Sequence, residues 1–226
     1  MPRAFALRTS VEPMSDRPAR PMRPVRRPSS AFDAFEGGLD PAVTMRIAHD
    51  SARALVHRVR ASDDPDLVER MVAFTDEHGL DTLAELWSRA SARTLPGALW
   101  RLSLLRALVQ QDPAGSALLF QRGSEVLATA DVVVAGAESP TGPDEIRALA
   151  DQVLRGAYRG DFAIALERAG AFCRTAAAGA ADLADDADAA ANDPRAAEFT
   201  ARASRLASSA RDFTACAALE RLGSLD

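Results

Sequence analysis

Lysine is absent from this sequence, and isoleucine occurs only at positions 47, 146 and 164. All 27 residues counted as lysine or arginine are therefore arginines. Arg, Ala, Asp and Val have GC-rich codons whereas Lys and Ile do not, so this bias indicates a GC-rich genome. For that reason no single arginine is evidence of selection for paired phosphate contacts over the point charge of a lysine.

Other absences exclude whole classes of protein. Two cysteines, Cys173 and Cys216, are too few for a disulfide scaffold. No apolar run approaches the roughly 18 residues of a membrane-spanning helix. The sequence contains no Gly-x-Ser-x-Gly motif, no phosphate-cradling glycine loop and no dinucleotide fingerprint. We therefore expect a cytoplasmic protein away from membranes that is not an enzyme and has no cofactor or metal.

The N-terminal segment differs in composition from the rest of the chain. Its prolines alternate with arginines, and no apolar periodicity persists between them. Residues 1–30 carry a net charge of +5, whereas the remainder carries −10. Such a segment buries too little apolar surface to offset its ordering entropy. The composition predicts a disordered Pro/Arg-rich arm over residues 1–38.

From residue 39 onward, residues typical of helix starts and helix ends predict an all-α, single-domain multi-helix bundle. Asp-Pro pairs occur at 40–41, 64–65, 112–113 and 193–194, and this pair favours a helix start because Asp caps free N–H groups while Pro fits the first turn. Glycines at 123, 136 and 160 are predicted helix ends. The predicted helices, eight or nine in number, span 41–61, 65–78, 81–92, 96–111, 113–122, 125–135, 143–159, 161–178 and 194–222.

Two segments of this predicted domain, which spans 39–226, stand out. The helix over 96–111 is apolar on nearly every side, which predicts that it is the central, most buried helix. Residues 179–193 are rich in alanine and aspartate, and Leu183 is their only large apolar side chain. They are predicted to form a solvated linker, in part helical, before the last helix. The predicted buried seam of that last helix is Phe199, Leu206 and Phe213.

The candidate binding residues form a basic stripe: Arg46, His49, Arg53, His57 and Arg60. At 100° per residue these five fall within an arc of about 80° on one helix face. The apolar residues opposite are Met45, Ala48, Ala52, Leu55, Val56 and Val59. A basic face on an acidic chain predicts an anionic partner, with an acidic protein surface the first expectation. The alternative is a nucleic-acid-associated factor that uses both the arm and the basic stripe; the oligomeric state stays open.

One motif suggests a repeat architecture. Gly160-Asp161-Phe162-Ala163-Ile164-Ala165-Leu166 is similar to the turn and second-helix opening of a tetratricopeptide repeat, for which a copy about 34 residues away would be needed. A tetratricopeptide-like helical adaptor is therefore a further alternative to an interaction or regulatory protein.

Three short motifs resemble those of a family of small helical actinobacterial proteins of unknown function. They are Thr94-Leu95-Pro96-Gly97-Ala98-Leu99-Trp100-Arg101-Leu102, Gly142-Pro143-Asp144-Glu145 and Gly160-Asp161-Phe162-Ala163-Ile164-Ala165-Leu166-Glu167-Arg168. Some members of that family carry the label DNA-directed RNA polymerase subunit beta, so the resemblance implies a link to transcription. The matching positions are helix starts and packing residues, and they imply no catalytic site.

Overall fold

Two helix starts in this protein are set by an aspartate cap placed directly before proline. The computed structural model describes residues 40–78, 80–127, 129–137, 141–189 and 194–226. Asp40 Oδ1 accepts a hydrogen bond from Ala42 N at 2.9 Å, and Asp112 Oδ1 accepts one from Gly115 N at 2.9 Å. Both aspartates precede a proline, as predicted, and each satisfies a backbone donor that the helix itself leaves free.

All regular secondary structure within the described residues is helical, which confirms the predicted all-α class. The helices are α1 (Pro41–Arg60), α2 (Leu67–His78), α3 (Asp81–Trp87), α4 (Leu95–Gln111), α5 (Pro113–Val126), α6 (Asp131–Ala135), α7 (Pro143–Arg159), α8 (Phe162–Ala189) and α9 (Arg195–Arg221). Residues Leu39–Asp226 form one compact unit. The predicted arm over 1–38 lies outside the described residues. No described helix is both long enough and apolar enough to cross a membrane.

The central helix is α8, and the expectation that 96–111 would be central is wrong. Helix α8 has buried residues along its whole length and packs against α5, α6, α7 and α9. Helix α4 instead leaves Leu104 and Leu108 41% and 42% exposed. Small residues decide this, because the many alanines of α8 let neighbouring helices approach on several sides. The leucine side chains of α4 are larger, and the neighbouring helices cover only part of their surface.

Helices α5 and α8 touch backbone to backbone at two glycines. A Cβ atom added to Gly123 would lie 1.8 Å from the carbonyl oxygen of Thr175, and one added to Gly179 would lie 1.9 Å from that of Leu119. No side chain other than hydrogen fits there. Gly123, predicted as a helix end, is therefore an interior residue of α5, which continues to Val126.

The predicted linker over 179–193 is also wrong for most of its length, because α8 continues to Ala189. Ala180, Ala184 and Ala187 are buried on its inner side. On its outer side, Arg122 of α5 reaches Asp182 with Nε–Oδ2 2.7 Å and Asp186 with Nη2–Oδ2 2.5 Å. Aspartates that suggest a solvated loop in the sequence are thus neutralised by an arginine 60 residues away.

The remaining differences concern where helices end. The predicted helix over 125–135 holds the end of α5 and the short α6, which ends at Gly136 with φ 77°, a left-handed conformation that favours glycine. Gly160 ends α7 as predicted. Helix α3 stops at Trp87 rather than at residue 92. In α9, Leu206 and Phe213 are buried and Phe199 is half-buried, which confirms the predicted seam.

Helices α1, α2 and α3 lie on the α4 and α7 side of the bundle. Helix α1 packs against α3, α4 and α7, and Trp87 Nε1 of α3 donates a hydrogen bond to Ser51 Oγ of α1 at 3.0 Å. Helix α2 is different, since no described helix packs closely along it. Val68 is its one fully buried side chain among the described residues.

The glycine contact yields a stability prediction. Gly123→Ala should lower the free energy of unfolding by about 3 kcal/mol, because its methyl group forces two helix backbones apart. Gly156→Ala is the matched control: its Cβ would lie 3.7 Å from Ala165 Cβ, an ordinary contact inside α7. That variant should gain about 0.5–1 kcal/mol from helix propensity. Urea unfolding of the wild type and the two variants measures both changes in stability. Equal stabilities for the two variants would contradict the backbone contact.

Candidate functional site

The basic stripe lies on the outer face of α1. Arg46, Arg53, His57 and Arg60 are exposed, and His49 is half-buried beside α3. On the opposite face, Ala48, Ala52 and Val59 are buried, and Leu55 and Val56 pack against them. The structure thus brings the five predicted residues together on one face of α1. Met45, predicted to be on the buried side, is 50% exposed instead. Only a narrow part of the α1 surface is buried, and Met45 lies at its edge.

One member of the basic stripe has an acidic partner within the chain. Arg53 Nη2 lies 2.5 Å from Asp226 Oδ1, and the two side chains are 53% and 78% exposed. An ion pair this exposed contributes little to stability because water screens it. Among the described residues, no ion pair engages Arg46, His57 or Arg60. Most of the positive charge on this face is therefore available to a partner.

Exposed aliphatic side chains flank the basic stripe. Val43 and Ile47 are 37% and 44% exposed and lie one helical turn apart on the line next to Arg46. Aliphatic groups of this kind stabilise contacts with other proteins by leaving water, whereas a phosphate backbone offers them no apolar surface. The outer face of α1 therefore combines positive charge with apolar surface.

A second feature, missed by the sequence reasoning, is a cavity of about 650 Å³ beneath α2. We call it the α2 cavity; α2, α3, α4 and α7 supply most of its walls. Its apolar lining residues are Leu55, Leu67, Met71, Val72, Phe74, Leu80, Leu83, Ala107 and Leu154, and its polar lining residues are Arg70, Thr75, Asp76, Thr82, Ser103, Arg106, Gln110 and Tyr158. Volume and lining are both typical of small-molecule sites.

Arg106 connects the helices around this cavity. Its side chain is 7% exposed. It donates to both carboxylate oxygens of Asp76 on α2, at 2.5 and 2.8 Å, and through Nε to Asp151 Oδ1 on α7 at 2.6 Å. The hydrogen bonds that Arg106 donates, above all to Asp76 and then to Asp151, raise the pKa of Arg106 above its ordinary value although burial lowers it. A buried guanidinium with two carboxylates is fully compensated.

Tyr158 is the other notable polar group in the cavity wall. The residue is 4% exposed, and burial raises the pKa of its phenol to about 12. Its hydroxyl therefore stays protonated throughout the physiological range. Among the described residues, no protein group accepts or donates a hydrogen bond at this hydroxyl. Among the described residues, Ser116 Oγ is the buried side-chain polar atom without a partner, so the Tyr158 hydroxyl reaches accessible space, where water or a ligand group can bond it.

The remaining reactive side chains have structural surroundings. Cys173 and Cys216 are both free and buried, as expected of small core thiols. Asp182 and Asp186 are bound by Arg122, so the acidic run of α8 is not an open cation site. In the described part of the chain, no three His, Cys, Asp or Glu side chains are grouped so that they could hold a metal ion.

Two residues of the cavity wall stand out in the sequence. Arg106 is a charged residue in an otherwise apolar stretch of α4, and Tyr158 is the only tyrosine in the chain. Neither signal indicates an empty space, because the space arises from the distance between α2 and its neighbours. That distance is a property of packing between helices far apart in the sequence.

The cysteines provide a test of the buried environment. Burial raises the pKa of Cys173 to about 12 and that of Cys216, which also lies near Asp212, to about 11. Since only the thiolate attacks disulfide reagents, neither residue of the native protein should react with dithionitrobenzoate within minutes at pH 8. Both should react at once in guanidinium chloride. Immediate stoichiometric labelling of the native protein would contradict this assignment.

No family model, curated protein or solved structure matches the chain.

Proposed function

We propose that this protein is a non-enzymatic, cytoplasmic interaction or regulatory protein that binds an acidic partner through the outer face of α1. The observation that carries the proposal is the combination of three exposed basic residues without an ion pair among the described residues, Arg46, His57 and Arg60, with exposed Val43 and Ile47 beside them. An acidic, amphipathic protein segment complements both features at once.

Charge favours an acidic partner, and the aliphatic flank favours a protein over a nucleic acid. A nucleic acid would satisfy the arginines through its phosphates but would leave Val43 and Ile47 in water. Nucleic-acid binding through the arm and the basic stripe, in line with the transcription link that the resemblance implies, is the second candidate. The positive charge of residues 1–30 is the observation that favours it.

The tetratricopeptide-like adaptor receives less support. Two helices and their turns must fit within about 34 residues in such a repeat, so each helix has at most about 15. Helices α8 and α9 are 28 and 27 residues long. The Gly160–Asp161 turn instead begins one long helix, with Asp161 Oδ1 accepting from Ile164 N at 3.1 Å.

The proposal predicts a selective loss of binding. The triple variant Arg46→Glu, Arg53→Glu and Arg60→Glu should fold, since exposed charge changes usually alter stability by only about 0.5 kcal/mol each. Two labelled probes compare the partner classes: a helical peptide with leucines on one face and glutamates on the other, and a 20-base-pair duplex. We expect the peptide to bind the wild type more tightly, and the triple variant to lose at least about tenfold in affinity, largely through a slower association rate.

The matched control reverses the same number of charges elsewhere. Arg58, Arg205 and Arg211 are exposed and lie off the basic stripe, so their change to glutamate should leave peptide binding nearly unchanged. Replacing Val43 and Ile47 with serine should weaken binding of the peptide but not of the duplex. If the duplex binds more tightly, with a steep salt dependence lost in the triple variant, the nucleic-acid alternative is correct. If both triple variants bind the peptide equally, the basic stripe is only a solvated helix face.

A further inference from the structure

We propose that the α2 cavity is a binding site for a neutral, mainly apolar small molecule that carries one hydrogen-bonding group. This site is separate from the outer face of α1 and does not depend on the partner proposed for it. Three observations support it: the size and apolar lining of the cavity, the pairing of every charged side chain in its wall, and the Tyr158 hydroxyl.

The size of the cavity fits a molecule of drug-like dimensions. At about 650 Å³ it falls in the middle of the range of roughly 300–1,000 Å³ found for such sites. Most of its wall is aliphatic, with Met71 as an adaptable side chain and Ala107 at its α4 side. Because an apolar ligand gains most from leaving water, this lining selects for hydrocarbon or aromatic surface.

The charges in the wall select against an ionised ligand. Only three lining residues are charged, and each is already paired: Arg106 with Asp76, and Arg70 with Asp64. Asp151 also contacts Arg106, so two partly exposed carboxylates face one buried guanidinium. An anionic ligand would therefore meet excess negative charge, and a cation would have to displace Arg106. A neutral molecule disturbs neither pair.

Tyr158 supplies the specific contact. Its hydroxyl is protonated, lies in the cavity wall and has no hydrogen-bond partner among the described residues. It can donate to a ligand carbonyl or ether and accept from a ligand N–H or O–H group. One such group at the Tyr158 end of an otherwise apolar molecule satisfies a polar atom that the fold leaves without a protein partner.

Helix α2 supplies more of the cavity wall than any other helix. It is joined to the rest of the unit by apolar packing of Leu67, Val68, Met71 and Val72, and by the ion pairs of Asp76 with Arg106 and of Glu69 with Arg155 at 3.4 Å. Phe74 is 57% exposed on it.

The probe is N-phenyl-1-naphthylamine, a neutral aromatic amine with one N–H group whose fluorescence rises in apolar surroundings. Its anionic counterpart, anilinonaphthalene sulfonate, has the same ring system plus a sulfonate. We expect the full-length protein to bind the neutral probe saturably at one site, and at least about tenfold more tightly than this site binds the sulfonate. Ala107→Phe, which fills the cavity, should abolish binding of the neutral probe. Tyr158→Phe should weaken it about threefold to tenfold, the value of one hydrogen bond.

Leu108→Phe is the matched control, because this neighbouring residue of α4 lines a different groove next to α9; it should bind the probe like the wild type. Thr82→Trp, at an exposed position of the cavity wall, gives a second blocking variant should Ala107→Phe fail to fold. Retained one-site binding in a folded blocking variant would overturn the proposal, and so would the absence of saturable binding. If the wild type binds both dyes with equal affinity at the site that the blocking variants fill, the cavity does not select for neutral ligands.

Discussion

The contact between Gly123 and Gly179 is the constraint on which the rest of the bundle depends. It brings the backbones of α5 and α8 together so closely that even a methyl group on either glycine would overlap a carbonyl oxygen. At that separation Arg122 reaches across to Asp182 and Asp186, and the rings of Phe120 and Phe172 stack with centroids 5.4 Å apart. Dispersion forces fall steeply with distance, so these contacts depend on the two glycines.

Local signals in the sequence predicted most of the helix starts. Caps such as Asp40 and Asp112 act within three residues, and their hydrogen bonds form as soon as the first turn does. Helix ends were predicted less well, because tertiary contacts decide them. The run after residue 178 mixes alanine, the best helix former, with aspartate, a poor one, so its local preference alone does not decide whether it is helix or linker. It continues as α8 because distant residues of α5 cover its small side chains and pair with its acids.

Predictability of the two candidate sites differs for a similar reason. The basic stripe follows from helical geometry alone, so residue spacing was enough to place Arg46 and Arg60 on one exposed face. The exposure of Val43 and Ile47 depends on how narrow a strip of α1 is buried, which spacing does not determine. The α2 cavity was not predictable at all, since a void is defined by residues from at least four helices. Arg106 and Tyr158 can be recognised as residues of a cavity wall only when those helices surround the same space.

The way α2 is attached has a consequence for how the protein opens. Helix α8 is bound by apolar packing on several sides, so its separation from the bundle would expose core surface and amount to global unfolding. The attachment of α2 combines apolar packing of Leu67, Val68, Met71 and Val72 with ion pairs to α4 and α7, of which Arg106–Asp76 is the most buried. Charged contacts are screened by salt, whereas apolar packing is not. The amide hydrogens of α2 should therefore exchange faster as the ionic strength rises, whereas those of α8 should respond less.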